Sequence, residues 1–298
     1  MQLWPIVETG YGIRIRRATR VKDVYKIETG HAVYCLKAYD FPEEEVRFIT
    51  RVLSCLDEHQ FTRSQKVYPT VDQAAYLSHE GTYYTLTNWV HGQQPKFART
   101  SDLRRGIATL AKFHLLATGF PALEAPESRI RYSRLPGELS DYKNLLLPHP
   151  RTNHLVEQCD EALELLQQPK VLEAVQQEQV NGAFIHGDYN YPNLVKDRKN
   201  TIHLIDFENT SMHVRTKDLA HILHRNCLWN AAGMLRLIEY YQRYRPMGTS
   251  ELRLLLALLT APYHVVRNLR IGGLRSAGPI IPSPGLLRRY QRELRAWL

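Results

Sequence analysis

The apolar and polar positions along this chain change their period near residue 90. Before it, Ile13–Thr19, Val24–Thr29 and Ala32–Ala38 are short runs rich in β-branched and aromatic residues, separated by turns, and predict three strands. Pro42 then opens a helix whose apolar positions Val46, Ile49, Leu53 and Leu56 follow a three-four spacing. Residues 67–69, 74–77 and 82–87 complete a small antiparallel sheet. Past residue 90 the period is helical. Ser101 and Asp102 are cap candidates for a helix reaching Leu115. Residues 155–180, 217–229, 234–243, 251–259 and 286–298 carry further helical patterns. Residues 121–150 are Pro-rich with little period and predict a loop or insertion, and 272–284 form a Gly/Pro-rich stretch. There is no internal repeat and no low-complexity tract.

Within the helical part, one segment breaks the period and carries chemistry. Ala183-Phe-Ile185 is an apolar run into His186-Gly-Asp188, with Asn193 five residues after the aspartate. Asp197–Asn200 supplies a turn, and Ile202–Ile205 a strand that ends on Asp206. This predicts a strand, a loop and a short hairpin that returns Asp206 beside the loop. Phosphoryl transfer from a nucleotide needs positioning, charge neutralisation and an oriented hydroxyl more than covalent help. Asp188 suits the role of orienting the hydroxyl and accepting its proton. Asn193 and Asp206 offer hard oxygen ligands for Mg²⁺ on a triphosphate.

With these motifs the chain resembles the aminoglycoside phosphotransferase and choline kinase superfamily, whose fold is that of protein kinases. Val33–Lys37, Pro42–Ile49, Tyr84–Gly92, Phe184–Tyr189 and Leu204–Phe207 further resemble its spore-coat kinase-like (CotS-type) branch. The resemblance implies an α+β, bilobal, protein-kinase-like fold, with an N-lobe over residues 1–90 and a mostly helical C-lobe over 91–298. It implies Lys37 as the partner of the nucleotide's α- and β-phosphates, with Glu44 or Glu45 as its carboxylate and Glu44 favoured by family pattern. Residues 87–90 become a hinge, where Asn88 and Val90 meet the edge of adenine. His186 braces the catalytic loop, and Asp218 ties it through backbone hydrogen bonds. Glu208 is expected to face solvent.

Two departures stand out. The turn Arg20–Asp23 has no glycine, so backbone amides approach phosphates less freely there, leaving Arg20 or Lys22 to substitute side-chain charge. Asn190 stands where relatives often carry lysine or histidine.

Composition narrows the setting. The chain has 298 residues and a net charge of +9. Residues 1–90 are neutral, whereas residues 251–298 hold eight arginines against two glutamates. Such a balance favours acidic partners, although solvated helix faces explain it equally well. It disfavours polycationic acceptors and leaves a sugar, a glycan, a small anionic metabolite or an acidic protein segment. Basic clusters interleaved with aromatics are absent, which argues against nucleic acid. No apolar run is long enough to span a membrane, the N-terminus lacks signal-peptide regions, and the four cysteines are scattered. The expectation is an ATP- and Mg²⁺-dependent phosphotransferase acting on a hydroxyl, in the cytoplasm or spore coat, with coat proteins as further partners. Two alternatives stay open: a catalytically weak or inactive kinase-fold coat scaffold, and a small-molecule kinase for a sugar, amino alcohol or antibiotic.

Overall fold

The computed structural model describes residues 3–297. Met1, Gln2 and Leu298, included in the predicted N-terminus and last helix, lie outside them. The chain begins with α1 (Leu3–Tyr11), β1 (Arg17–Val21), β2 (Val24–Glu28), β3 (Val33–Tyr39), α2 (Glu43–Glu58), β4 (Val67–Tyr68), β5 (Leu77–His79) and β6 (Thr82–Asn88). It continues through α3 (Thr100–Leu116), α4 (Leu135–Leu146), α5 (Val156–Leu166), α6 (Pro169–Val180) and β7 (Phe184–Ile185). Then come β8 (Leu194–Lys196), β9 (Ile202–Leu204), β10 (Ser211–Met212), α7 (Thr216–Cys227), α8 (Ala231–Gln242), α9 (Thr249–Thr260), α10 (Tyr263–Ala277) and α11 (Pro284–Arg295).

These elements gather into two compact units that are not contiguous in sequence. The first comprises Met1–Pro95, Phe120–Arg129 and Tyr191–Thr210; the second comprises Lys96–Gly119, Ile130–Asn190 and Ser211–Leu298. A cut at residue 90 misses the two later segments of the first unit. Arg129 explains why they belong there. It is buried, pairs with Glu45 of α2 at 2.6 Å, and donates to the carbonyl oxygens of Glu208 at 2.6 Å and Thr210 at 3.1 Å. A single guanidinium thus joins all three segments of the unit.

The first unit is built on an antiparallel sheet in the order β1-β2-β3-β6-β4, with β5 also pairing β6. Side chains alternate between its faces. Ile27, Leu36 and Leu86 pack with Val7 and Tyr11 of α1, while Cys35 and Lys37 turn to the other face. No helix was expected at α1, because nine residues containing Pro5 and Gly10 give a weak local signal. Its burial against the sheet supplies the stability that propensity does not. In α2, Pro42 and three glutamates of the first turn suit a helix N-terminus, and Val46, Ile49, Val52, Leu53 and Leu56 form its buried stripe.

The second unit is helical, with β7 and β10 paired antiparallel. Three predicted elements change here. The expected loop over 121–150 contains α4, whose Leu135, Leu139, Tyr142 and Leu146 form a buried stripe. Pro136 in its first turn obscured the pattern. The helix predicted over 155–180 is two helices, because Gln168 is extended (φ −64, ψ 138) before Pro169. The Gly/Pro-rich stretch 272–284 begins inside α10, which is kinked at Gly272 and Gly273 and ends at Ala277, and its remainder connects α10 to α11. No helix among the described residues is long and apolar enough to cross a membrane.

Candidate active site

A cavity of about 320 Å³ lies within the first unit. Apolar Val21, Val24 and Leu194 line it, with Trp89 and Val90 from the segment after β6. Lys37, Asp206 and Asn193 supply its polar lining. An apolar slot with convergent polar groups of opposite charge fits a ligand that joins a flat ring to an anionic tail.

Local chemistry explains how these residues meet. Lys37 stands on β3 opposite Thr85 of β6, on the face away from α1. The hairpin β8–β9 pairs Leu194 with Leu204 and holds Asn193 and Asp206 at adjoining ends; the Ile205 amide donates to the Asn193 carbonyl oxygen at 3.0 Å. Asp206 adopts the left-handed region (φ 67, ψ 69), uncommon for a residue with a Cβ. Its amide donates to Gln65 Oε1 at 3.1 Å, and Gln65 Nε2 donates to Thr87 of β6 at 2.9 Å. Gly92 lets the chain cross β8 closely, since an added Cβ would sit 2.3 Å from the Lys196 carbonyl oxygen. There Gln93 and Lys196 exchange backbone hydrogen bonds of 3.0 and 2.7 Å.

The ion pairing of Lys37 differs from expectation. Its Nζ bonds Asp206 and donates to Glu208 Oε2 at 2.7 Å, with Asp23 at 3.8 Å. Burial opposes the ammonium charge, but Tyr39, Asp206 and Glu208 raise its pKa above the ordinary lysine value. Glu44 is exposed at the start of α2 and is not the carboxylate that Lys37 meets. Glu45 is engaged by Arg129. Glu208, expected to face solvent, is a partner of the lysine. The difference is tertiary: the turn after Asp206 brings Glu208 back toward β3, whereas Glu44 points out from its helix. Asn88 also departs from its expected place. It does not line the cavity, and its side chain accepts from the Lys66 amide at 2.6 Å. In the glycine-free turn, Lys22 itself takes a left-handed conformation (φ 57) and lines the cavity.

The donor set fits a small hard cation. Asp206 and Asn193 offer oxygen only, and carboxylate oxygens of Asp23, Asp206 and Glu208 lie within 4.8 Å of one another.

Asp188 belongs to the second unit, in the loop after β7. Asp218 of α7 is buried, and its two oxygens accept from the His186 amide at 2.8 Å and the Gly187 amide at 3.1 Å. Burial pushes its pKa up, but His114, the His186 ring and the His186 amide hold it below the ordinary aspartate value. His186 is fully buried, and its Nδ1 accepts from the Asp188 amide at 3.4 Å. The Asp188 carboxylate is 38 % exposed and pairs with Arg225 of α7 at 2.8 Å. Asn190 Oδ1 is buried without a hydrogen-bond partner. Sequence reasoning missed Arg225, Arg129 and Gln65. Nothing in their local sequence marks them, since each acts across tens of residues.

An antiparallel sheet followed by a helical region, with the lysine, loop and hairpin so placed, defines a kinase-like fold. Residues 14–255 match the model of the phosphotransferase enzyme family (APH), and the chain belongs to that family. Solved structures agree on the fold. An aminoglycoside phosphotransferase from Alicyclobacillus acidocaldarius superposes with a TM-score of 0.75 at 21% identity, covering 100% of this chain and 94% of its own. The amicoumacin kinase hAmiN, solved with AMP-PNP, Ca²⁺ and amicoumacin, gives 0.67 at 14% identity, with 99% and 92% covered. A Plasmodium vivax ethanolamine kinase gives 0.51 at 14% identity, with 99% and 83% covered. No curated protein sequence matches the chain.

Proposed function

We propose that this chain is an ATP- and Mg²⁺-dependent kinase that moves the γ-phosphoryl group to a hydroxyl. The observation that carries the reading is the convergence of Lys37, Asp206 and Asn193 on one cavity edged by Trp89 and Val90. In this reading the adenine lies along Val90, whose backbone pairs its edge, and Lys37 meets the α- and β-phosphates. Asp206 and Asn193 would hold Mg²⁺, which when bound would neutralise triphosphate charge. Asp188 orients the acceptor hydroxyl and takes its proton as that oxygen bonds the γ-phosphorus, while the bond from the γ-phosphorus to the β–γ bridging oxygen breaks and ADP leaves. His186 and Asp218 hold the loop that presents it. The neighbours named for amicoumacin and ethanolamine support a small-molecule acceptor. A spore-coat setting rests on the five motif segments alone.

A binding-only scaffold is the second reading. It is favoured by the glycine-free turn at Lys22 and by the two carboxylates that occupy Lys37. A thermal melt with and without Mg²⁺-ATP, on the wild type and Asp206→Ala, separates the two. The kinase reading expects an upward shift that needs Mg²⁺ and disappears in the variant. No shift at millimolar nucleotide leaves the scaffold.

A further inference from the structure

We infer that Gln65 is a positioning residue for Asp206: its side chain fixes the peptide that aims this carboxylate into the cavity, and so sets how tightly Mg²⁺ is held there. The inference rests on the reading of Asp206 as a metal ligand. Gln65 stands in the segment between α2 and β4 and lines the same cavity as Lys37, Asn193 and Asp206. Its Oε1 accepts from the Asp206 amide at 3.1 Å, and its Nε2 donates to the Thr87 hydroxyl at 2.9 Å. This order is forced, because a backbone amide can only donate and must face the oxygen end of the glutamine.

The contact matters because of the backbone it holds. Asp206 is left-handed (φ 67, ψ 69), a conformation that a residue with a Cβ keeps only where its surroundings over-determine it. A peptide is planar, so fixing the N–H direction fixes the plane from which the Asp206 side chain departs. The two preceding amides are held by backbone: Leu204 donates to the Arg63 carbonyl oxygen at 2.7 Å, and Ile205 to that of Asn193 at 3.0 Å. Asp206 comes next, and its acceptor is a side chain, so one substitution removes it and leaves those backbone bonds in place. The far end of the bridge is equally fixed. Thr87 of β6 is buried and pairs in register with Cys35 of β3, two residues before Lys37. Gln65 thus ties Asp206 to the sheet that carries Lys37 by a route without charge. An arriving phosphate shares the Lys37 ammonium and loosens its ion pair with Asp206, whereas the glutamine bridge is untouched and keeps the carboxylate aimed.

The test titrates the full chain with ADP by calorimetry, in excess Mg²⁺ and in EDTA, and reads the ratio of the two affinities. The wild type should bind ADP more tightly with Mg²⁺. In Gln65→Met, of similar length but without polar ends, the ratio should fall about 10-fold, the lower end of the cost of losing a group that orients a metal ligand, while the affinity in EDTA stays at the wild-type value. Thr87→Val removes the anchor and should lower the ratio in the same direction; Thr87→Ser keeps the hydroxyl and should restore it. An unchanged ratio in Gln65→Met overturns the inference, and so does an equal fall of both affinities, which is what a merely structural glutamine gives. If Gln65→Met does not fold, the Thr87 pair decides: a lower ratio in the valine variant supports the inference, and equal ratios overturn it. A wild type that binds ADP equally with and without Mg²⁺, or not at all, counts against the kinase reading itself, and the inference falls with it.

Discussion

Lys37, which lines the cavity of the first unit, forms an ion pair of 2.7 Å with Glu208 and holds Asp206 on the same ammonium. The lysine therefore has two charged partners before any phosphate arrives, and a bound phosphate must share the ammonium with them. Lys37→Met removes the cation and leaves Asp206 and Glu208 facing each other. Its nucleotide affinity should fall about 10- to 100-fold, as expected for lost charge-assisted bonds. Calorimetric titration with Mg²⁺-ADP checks this, and wild-type affinity in the variant would remove Lys37 from the phosphate site.

Asp188→Asn should keep the Mg²⁺-ATP melt shift and lose roughly 10²–10⁴ in transfer rate, the span assigned to a positioned base. Asp218→Asn should act on the same loop by another route. An amide offers one acceptor oxygen where the carboxylate offers two, so the His186 or Gly187 amide loses its partner. A loss of about 1–3 kcal/mol in folding stability should accompany its slower transfer. Urea melts follow that loss in Asp218→Asn, and the transfer rate at an unchanged Mg²⁺-ATP melt shift marks Asp188→Asn.

Gly92→Ala tests the crossing over β8. The new methyl would lie 2.3 Å from the Lys196 carbonyl oxygen, which is backbone and cannot swing aside. We expect a destabilisation of about 1–3 kcal/mol, together with weaker nucleotide binding, because the displaced segment continues into Val90. Chemical denaturation and nucleotide titration should change together. Unaltered stability would show that the crossing yields without cost.

Acid should destabilise the fold. His114, His213 and His224 are buried, and burial pushes each down to about 4 from an ordinary 6.5. Between pH 6.5 and 4 the unfolded chain binds more protons, so their contribution is full above 6.5 and lost as the pH falls toward 4. The ceiling is about 3 kcal/mol for each histidine. Glu138 has the same sign at lower pH. Burial raises its pKa, but His213 and Lys217 bring it to about 2, so its contribution is lost as the pH falls from 4.5 to 2. Urea midpoints at pH 7.5, 5.5 and 4.5 should decline in that order, and a flat series would contradict buried neutral histidines.

Much of the fold was legible in sequence because its signals are local. The three-four stripe of α2 and the β-branched runs of the sheet describe faces that must be buried whatever lies against them. The apolar strand–loop–hairpin around Asp188 and Asp206 was equally plain, since motif and period coincide within about 25 residues. α1 and α4 were not, because each contains a proline or glycine that lowers its propensity and is stabilised by packing instead.

The sequence by itself determined the residue types of the site, their order, and the strands and turns that carry Lys37, Asp188, Asn193 and Asp206. Tertiary structure decided the partners. Glu208 instead of Glu44 on Lys37, Arg129 on Glu45, Arg225 on Asp188 and Asn88 turned to Lys66 are all long-range pairs except one that spans 22 residues. Propensity and period act within a turn or a strand. A charged side chain chooses its partner by distance and burial, which exist only once the chain has folded.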